Sequence, residues 1–406
     1  MKKIAVLHAS NTLNYGTMMM VTNFIYYLNK QNNSNISFYI DNDEIDGLKR
    51  IQEGAKYEKV HRLSDFGIIN KPTKKSDSLL LKTFKYFKFA LNYGKKFKSN
   101  KISNVIVLGG DDFSEYYPLV GVVIEFLKIR SIKRQGVEVF LIGQTIGPFS
   151  GWRKKMAMFF LKNIPIYTRD FENYKYLKDH LKVNFLSHSK DLAFLDLPLQ
   201  NPKRQSEQSL SIGSKKTIVL VISGIWHSYT NDKSSYIKNW VSIINRLYER
   251  YNIILLAHVL TDRSSDKIII DETYESLSSE VKKSIQKITQ VILPSEARRI
   301  LSDSHFSITG RMHAAVSSYQ VNKPSIALSY SVKYKGVLGE LNRSDLIIES
   351  NDDDLWANNT ISENVIKKVD YVESNYLRIS KEISDIMPSV QLKVIEMVGD
   401  ISSKLH

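Results

Sequence analysis

A chain of 406 residues is longer than one hydrophobic core usually serves, and 43% hydrophobic with 24% charged residues is ordinary for a globular protein, so two domains are expected. The complete lack of Cys excludes disulfides, thiolate nucleophiles and thiolate-held zinc. A net charge of +15 favours acidic partners, whether phosphates, nucleic acid or an anionic membrane face, without choosing among them.

The opening MKKIAVLHASNTLNYG has two lysines and a short apolar run that Asn, Ser and Thr interrupt before signal-peptide length. It reads as a first strand, and a cytoplasmic protein is expected. No apolar stretch approaches the roughly 20 residues that span a bilayer. After this strand Gly16 lets the backbone approach a ligand and Asn14 supplies a neutral donor and acceptor, although a simple strand-to-helix turn would use the same residues. Further strands are expected at ISFYID, NVIVLGG, VEVFLIGQ and IPIYTRD, with helices between them, including Val120 to Gln135 and Phe171 to His180. In the lysine-rich stretch 71 to 101, Lys82, Lys85 and Lys88 interleave with Leu81, Phe84, Phe87 and Leu91. Two readings stay open: a basic amphipathic helix over Lys82 to Lys98 at an anionic lipid surface, or a packed helix with a solvated lysine face. No recognition module accompanies the charge, so no nucleic acid is expected.

Strand ends carry the polar motifs. VIVLGGDD ends in Gly109 and Gly110, which point to close backbone approach, and in Asp111 and Asp112, which suit a general base, a metal ligand or a helix cap. LIGQTIGPF turns sharply at Gly147-Pro148 and offers Gln144 as a ligand-binding amide. In YTRD, Arg169 would meet an anion while Asp170 holds it or caps the next helix. His188 in SHSKD, and Trp226, His227 and Tyr229 after LVISG, are further polar or sugar-facing candidates, with Trp226 and Tyr229 equally suited to a core.

Pro198 to Lys216 is polar, Ser-rich and contains chain breakers, as a linker would. The alternation restarts with strands at KKTIVLVISG, NIILLAHVL, QVILP, HFSITG and KPSIALSY, and helices at Tyr236 to Tyr251, Ser276 to Lys287 and Ser295 to Ser302. His258 closes the second of these strands. The expected division is a first α/β domain over 1–197, a linker over 198–216, a second α/β domain over 217–350, and C-terminal helices over 351–406 packing back on the body, interrupted at Pro388. Two such domains would face each other across a cleft, a favoured place for small ligands.

At the junction ITGRMHA, Arg311 and His313 stand where a strand meets a helix, the place where α/β proteins bind anions. Arg brings a permanent planar charge, and His titrates near neutrality. No G-x-G-x-x-G after the first strand, Walker lysine, G-x-S-x-G or H-E-x-x-H string is present, which argues against dinucleotide oxidoreductases, P-loop enzymes, α/β-hydrolases and zincins.

Taken together, NYG, LGGDD, GQTIGPF, TRD, SKDLAF, LAHVLTD and the block from Ile308 to Gly336 resemble the polysaccharide pyruvyl transferases over roughly residues 8 to 340. The resemblance implies two Rossmann-like domains in a GT-B-like arrangement, and transfer of a pyruvyl group from phosphoenolpyruvate to two hydroxyls of one sugar as a cyclic ketal. The acceptor would be a cell-envelope polysaccharide, capsular or secreted, or its lipid-linked precursor; the lysine-rich helix, where it faces lipid, would put the protein peripherally on the inner face of the plasma membrane. The family's R-x-H falls on Arg311 and His313 and its R-D on Arg169 and Asp170, the arginines holding the donor and the His acting as acid. Thr17 stands where the family commonly has Asp, and Asp111 where it often has a third glycine. Phosphoenolpyruvate carries a carboxylate and a phosphate, which suits paired cationic forks, and protonation of its methylene needs an acid of near-neutral pKa. Lys333 or Lys335 would add charge near the phosphate, and neither metal nor redox cofactor is called for. The alternative is a GT-B glycosyltransferase using a sugar nucleotide in the same place.

Overall fold

The computed structural model describes residues 2–32, 35–68, 78–110, 113–115, 117–200, 215–262 and 264–405. Asp111, Asp112 and most of the expected linker lie outside the described residues. The chain forms two compact units. The first comprises 1–12, 20–192 and 393–406, and the second comprises 13–19 and 193–392.

The first half of the chain runs β1 (Lys2–Leu7), α1 (Tyr15–Gln31), β2 (Ile36–Ile40), α2 (Gly47–Ala55), β3 (Val60–Arg62), α3 (Leu79–Ser99) and β4 (Asn104–Leu108). It continues through α4 (Leu119–Lys133), β5 (Glu138–Gln144), α5 (Gly151–Leu161), β6 (Ile166–Thr168), α6 (Phe171–Asp179) and β7 (Leu186–His188). The strands form one parallel sheet in the order β3-β2-β1-β4-β5-β6-β7. β4, NVIVL, is buried at every position, as a parallel strand covered on both faces must be.

The second half runs β8 (Lys216–Val221), α7 (Lys233–Leu247), β9 (Tyr251–Leu256), α8 (Asp266–Glu275), α9 (Ser279–Lys283), β10 (Ile285–Ile288) and α10 (Pro294–Ser302). After these come β11 (Ser307–Thr309), α11 (Met312–Gln320), β12 (Ser325–Ser329), α12 (Lys333–Gly339), β13 (Ile347–Glu349), α13 (Asp353–Ala357) and α14 (Thr360–Ser403). Its sheet, again parallel, has the order β10-β9-β8-β11-β12-β13. In α7 the Asp232 carboxylate caps the helix by accepting from the Ser234 N–H, and Tyr236, Trp240, Ile243, Ile244 and Leu247 recur at helical spacing on the buried face.

Three expectations differ from the structure. Residues 276 to 287 do not make one helix: α9 is a single short turn, and the alternating IQKI that follows is the edge strand β10. QVILP is not a strand, because Pro294 sits at the start of α10, where its fixed φ and missing N–H suit a first turn. Pro388 lies within α14 without ending it, and the non-helical residue is Asn375.

Candidate functional site

In the second sheet the chain moves from β8 to β9 on one side and from β11 to β12 on the other, so the connections diverge between β8 and β11. Ligands of open α/β sheets bind at such a switch point, beyond the carboxyl ends of the strands. Arg311 stands there as the residue preceding α11. Its Nε and Nη2 donate to Oδ1 of Asp266 at 3.0 and 2.7 Å, and Nη2 also donates to the Ser264 carbonyl at 2.7 Å. Burial opposes the guanidinium charge, but Asp266 outweighs it and raises the pKa above the usual arginine value.

Asp266 was not singled out by the sequence, yet it organises this edge. Fully buried, it accepts from the Gly224 N–H after β8 and from the His258 and Val259 N–H groups after β9, in addition to Arg311 after β11. The available signal was an acid opening the apolar-periodic run of α8. Arg311 is therefore not a fully free fork. Three of its N–H groups serve this anchor, and among the described residues only the Nη1 pair takes no protein hydrogen bond.

His313 is the second residue of α11, and Gly16, the second residue of α1, packs against its ring. A Cβ on Gly16 would lie 2.2 Å from the imidazole Nδ1. Asn14 sets this approach by accepting the Gly16 N–H on its side chain at 3.1 Å and pairing antiparallel with Val259. The Tyr15 N–H donates to the His258 carbonyl, the Leu260 N–H to the Leu13 carbonyl, and the Ile292 N–H to the Tyr15 hydroxyl. These bonds place residues 13–19 with the second unit, which corrects the assignment of Asn14 and Gly16 to an N-terminal domain. Asn14 acts here as a turn and helix-capping residue.

His258 is buried with its ring 5.4 Å from that of Tyr15. Burial first, and then the neighbouring His313, Arg311 and Arg298 charges, push its pKa well below the ordinary imidazole value, so it stays neutral. Lys333 opens α12, with its ammonium 4.7 Å from the centre of the Tyr330 ring, while Lys335 is exposed and paired with Glu349. Tyr229 belongs to the core.

The first unit holds the remaining candidates, and it uses them internally. Arg169 is 3% exposed, with Nη1 3.0 Å from Asp191 and Nε 3.0 Å from the Thr145 hydroxyl. Its charge is paired with a buried carboxylate. Asp170 caps α6 by accepting the Asn173 N–H at 2.7 Å. The Gln144 amide, fully buried, donates to the Val107 and Leu108 carbonyls, joining the ends of β4 and β5. Gly109 does serve close backbone approach, but to its neighbour: a Cβ there would lie 1.8 Å from the Gly143 carbonyl oxygen. The Gly110 carbonyl accepts the Thr145 N–H. Among the described residues no group of three or more His, Asp and Glu side chains is arranged to hold a metal ion.

Two parallel-sheet units of this kind define the GT-B-like class of fold. The chain is similar to UDP-GlcNAc 2-epimerase from Neisseria meningitidis bound to UDP-GlcNAc, with 12% identity, TM-score 0.61, and 98% of this chain and 99% of that one covered. It is likewise similar to a UDP-N-acetylglucosamine 2-epimerase of Listeria monocytogenes (10% identity, TM-score 0.62, 99% and 96% covered) and to the spinosyn rhamnosyltransferase SpnG (11%, 0.55, 98% and 100%). No curated protein matches the sequence. The sequence profile of the polysaccharide pyruvyl transferases matches residues 14–332, and the chain belongs to that family. It is a transferase.

Proposed function

We propose that the protein transfers the pyruvyl group of phosphoenolpyruvate onto two hydroxyls of one sugar of a cell-envelope polysaccharide or its lipid-linked precursor, forming a ketal. The observation that carries this reading is the meeting of two helix N-termini on one imidazole: His313 in the first turn of α11, with Gly16 of the first turn of α1 against it. Helix N-termini favour anions, and an imidazole between them next to a bound anion is placed to lose and regain a proton. The Nη1 edge of Arg311 and the Lys333 ammonium supply donors for a carboxylate and a phosphate. In the reaction His313 gives its proton to the methylene carbon, and one sugar oxygen adds to the central carbon. The second sugar oxygen then takes the place of the phosphate at that carbon. One hydroxyl proton restores His313 and the other leaves with the phosphate, so the step balances without a cofactor.

A thermal-shift panel of phosphoenolpyruvate against UDP-, GDP- and CMP-sugars separates this reading from the glycosyltransferase one. Phosphoenolpyruvate should stabilise the protein, and with acceptor present should yield phosphate and a pyruvate ketal. Stabilisation by a nucleotide sugar alone would reverse the assignment. His313→Gln should lower turnover by about 10² to 10⁴-fold with an unchanged melting temperature.

We also propose that α3 docks on anionic lipid, with the protein peripheral on the inner face of the plasma membrane. Along its solvent face run Leu81, Phe84, Lys88, Leu91 and Lys95 at alternating spacings of three and four, with Phe84 65% exposed. No helix among the described residues is long and apolar enough to cross a membrane.

A further inference from the structure

Three tyrosines gather at the carboxyl edge of the second sheet, and they do not share one task. Tyr229 and Tyr334, 2% and 0% exposed, turn their hydroxyls inward, and both donate to the carbonyl of Gly310, the residue before Arg311. Tyr330 is the third. It follows β12 directly, and the Ser329 hydroxyl closes the turn around it by donating to the Ser331 carbonyl at 2.9 Å. Because β12 pairs with β11 through Ala327 and Thr309, this turn stands beside the strand end that leads into Arg311.

The Tyr330 ring is held by its neighbours. Tyr229 and Tyr334 meet it edge to face, with centroids 5.2 and 5.4 Å away and planes at 67° and 72°, and the Lys333 ammonium lies 4.7 Å from its centre. Contacts of this kind fix an aromatic side chain without using its hydroxyl. The side chain is half-buried, yet its hydroxyl reaches solvent and takes no hydrogen bond among the described residues. Burial opposes the Arg311 charge, while Asp266 and, behind it, the phenols of Tyr330 and Tyr229 favour it, so the Tyr330 hydroxyl is within electrostatic reach of the guanidinium. A donor already fixed by packing gives up little freedom when it binds, as a substrate-binding group should.

We infer that Tyr330 is a phosphate-binding residue of the donor site, its hydroxyl donating to the same phosphate that the neighbouring Lys333 ammonium neutralises. A hydrogen bond to an ionised acceptor is a strong one, and the phenol supplies it without adding charge. That the phosphate belongs to phosphoenolpyruvate rests on the pyruvyl-transfer reading; the fixed, solvent-facing hydroxyl beside Arg311 does not.

Tyr330→Phe removes the hydroxyl and keeps the ring, its two edge contacts and the cation over it. Phosphoenolpyruvate and inorganic phosphate are each titrated calorimetrically into the full-length protein and into this variant. Both affinities should fall by about tenfold or more, the loss of a hydrogen bond to a charged group, while the melting temperature without ligand stays as it was. Tyr334→Phe, which takes a buried donor from the Gly310 carbonyl, should instead lower the melting temperature. Unchanged phosphoenolpyruvate affinity in Tyr330→Phe, a loss confined to phosphoenolpyruvate while inorganic phosphate binds as before, or a fall in melting temperature matching that of Tyr334→Phe overturns the inference. So does an unmodified protein that binds neither ligand. If the unmodified protein binds inorganic phosphate but not phosphoenolpyruvate, the pyruvyl-transfer reading fails on its own, and the phosphate titrations still decide the role of Tyr330.

Discussion

Gly16 is where two distant stretches of sequence meet, and the smallest possible substitution probes that meeting. A methyl group there would fall 2.2 Å from Nδ1 and 2.6 Å from Cγ of His313, so the imidazole has to move. Overpacking of this kind costs about 1 to 3 kcal/mol, and a misplacement of about 1 Å in a catalytic group costs on the order of 10²-fold in rate. Gly16→Ala should therefore reduce phosphoenolpyruvate-dependent phosphate release far more than it lowers the melting temperature; full turnover would show that the ring position is immaterial. The buried pair of Arg169 and Asp191, 3% and 0% exposed, makes the opposite prediction. Removing one partner strands a buried charge, at about 3 to 5 kcal/mol, whereas replacing both with apolar residues can be nearly neutral. Arg169→Met should lower the melting temperature sharply, Arg169→Met with Asp191→Leu should recover much of it, and phosphoenolpyruvate affinity should be the same in the double variant. A specific loss of donor affinity would return Arg169 to the binding site.

At the scale of elements, α3 shows how a periodicity can be plain while its environment is not. The sequence allowed either a lipid-facing or a core-facing apolar set, and the structure divides it: Ala90, Tyr93 and Phe97 are buried, while Leu81, Phe84 and Leu91 point outward among lysines. Co-sedimentation with phosphatidylglycerol-containing vesicles should fall with added salt and with Lys82→Glu, Lys85→Glu and Lys88→Glu combined. Binding that ignores both changes, or none at all, would leave α3 as a solvated helix. Central strands such as β4 and β12 were legible because burial on both faces requires continuous apolar runs. Edge strands of three or four residues, VHR in β3, LSH in β7 and IQKI in β10, carry too few apolar positions to stand out. Arg311 and His313 were legible as a strand-to-helix junction. The Asp266 carboxylate that ties three strand ends together was not, because its partners lie 7 to 45 residues away and leave no local pattern.

At the scale of the whole molecule, the units are not the two halves of the chain, and this has a thermodynamic consequence. The last residues, 393–406, belong to the first unit although they follow all of the second. Met397, Val398, Ile401 and Leu405 are buried there. The Lys2 ammonium donates to the Leu405 carbonyl, the Asn32 amide to the Ser402 hydroxyl, and the Tyr167 hydroxyl to Asp400. Burying such a side chain stabilises by about 1.5 to 3 kcal/mol, so the four together are comparable with the roughly 5 to 15 kcal/mol net stability of a typical domain. A chain ending at Leu392 should thus show a first-unit calorimetric transition displaced to lower temperature or lost, with the second-unit transition retained, and protease should cut it first within residues 20–192. If both transitions survive unchanged, the C-terminal end of α14 contributes nothing to the first unit beyond its own helix, and the unit boundaries would have to be drawn at residue 192 alone.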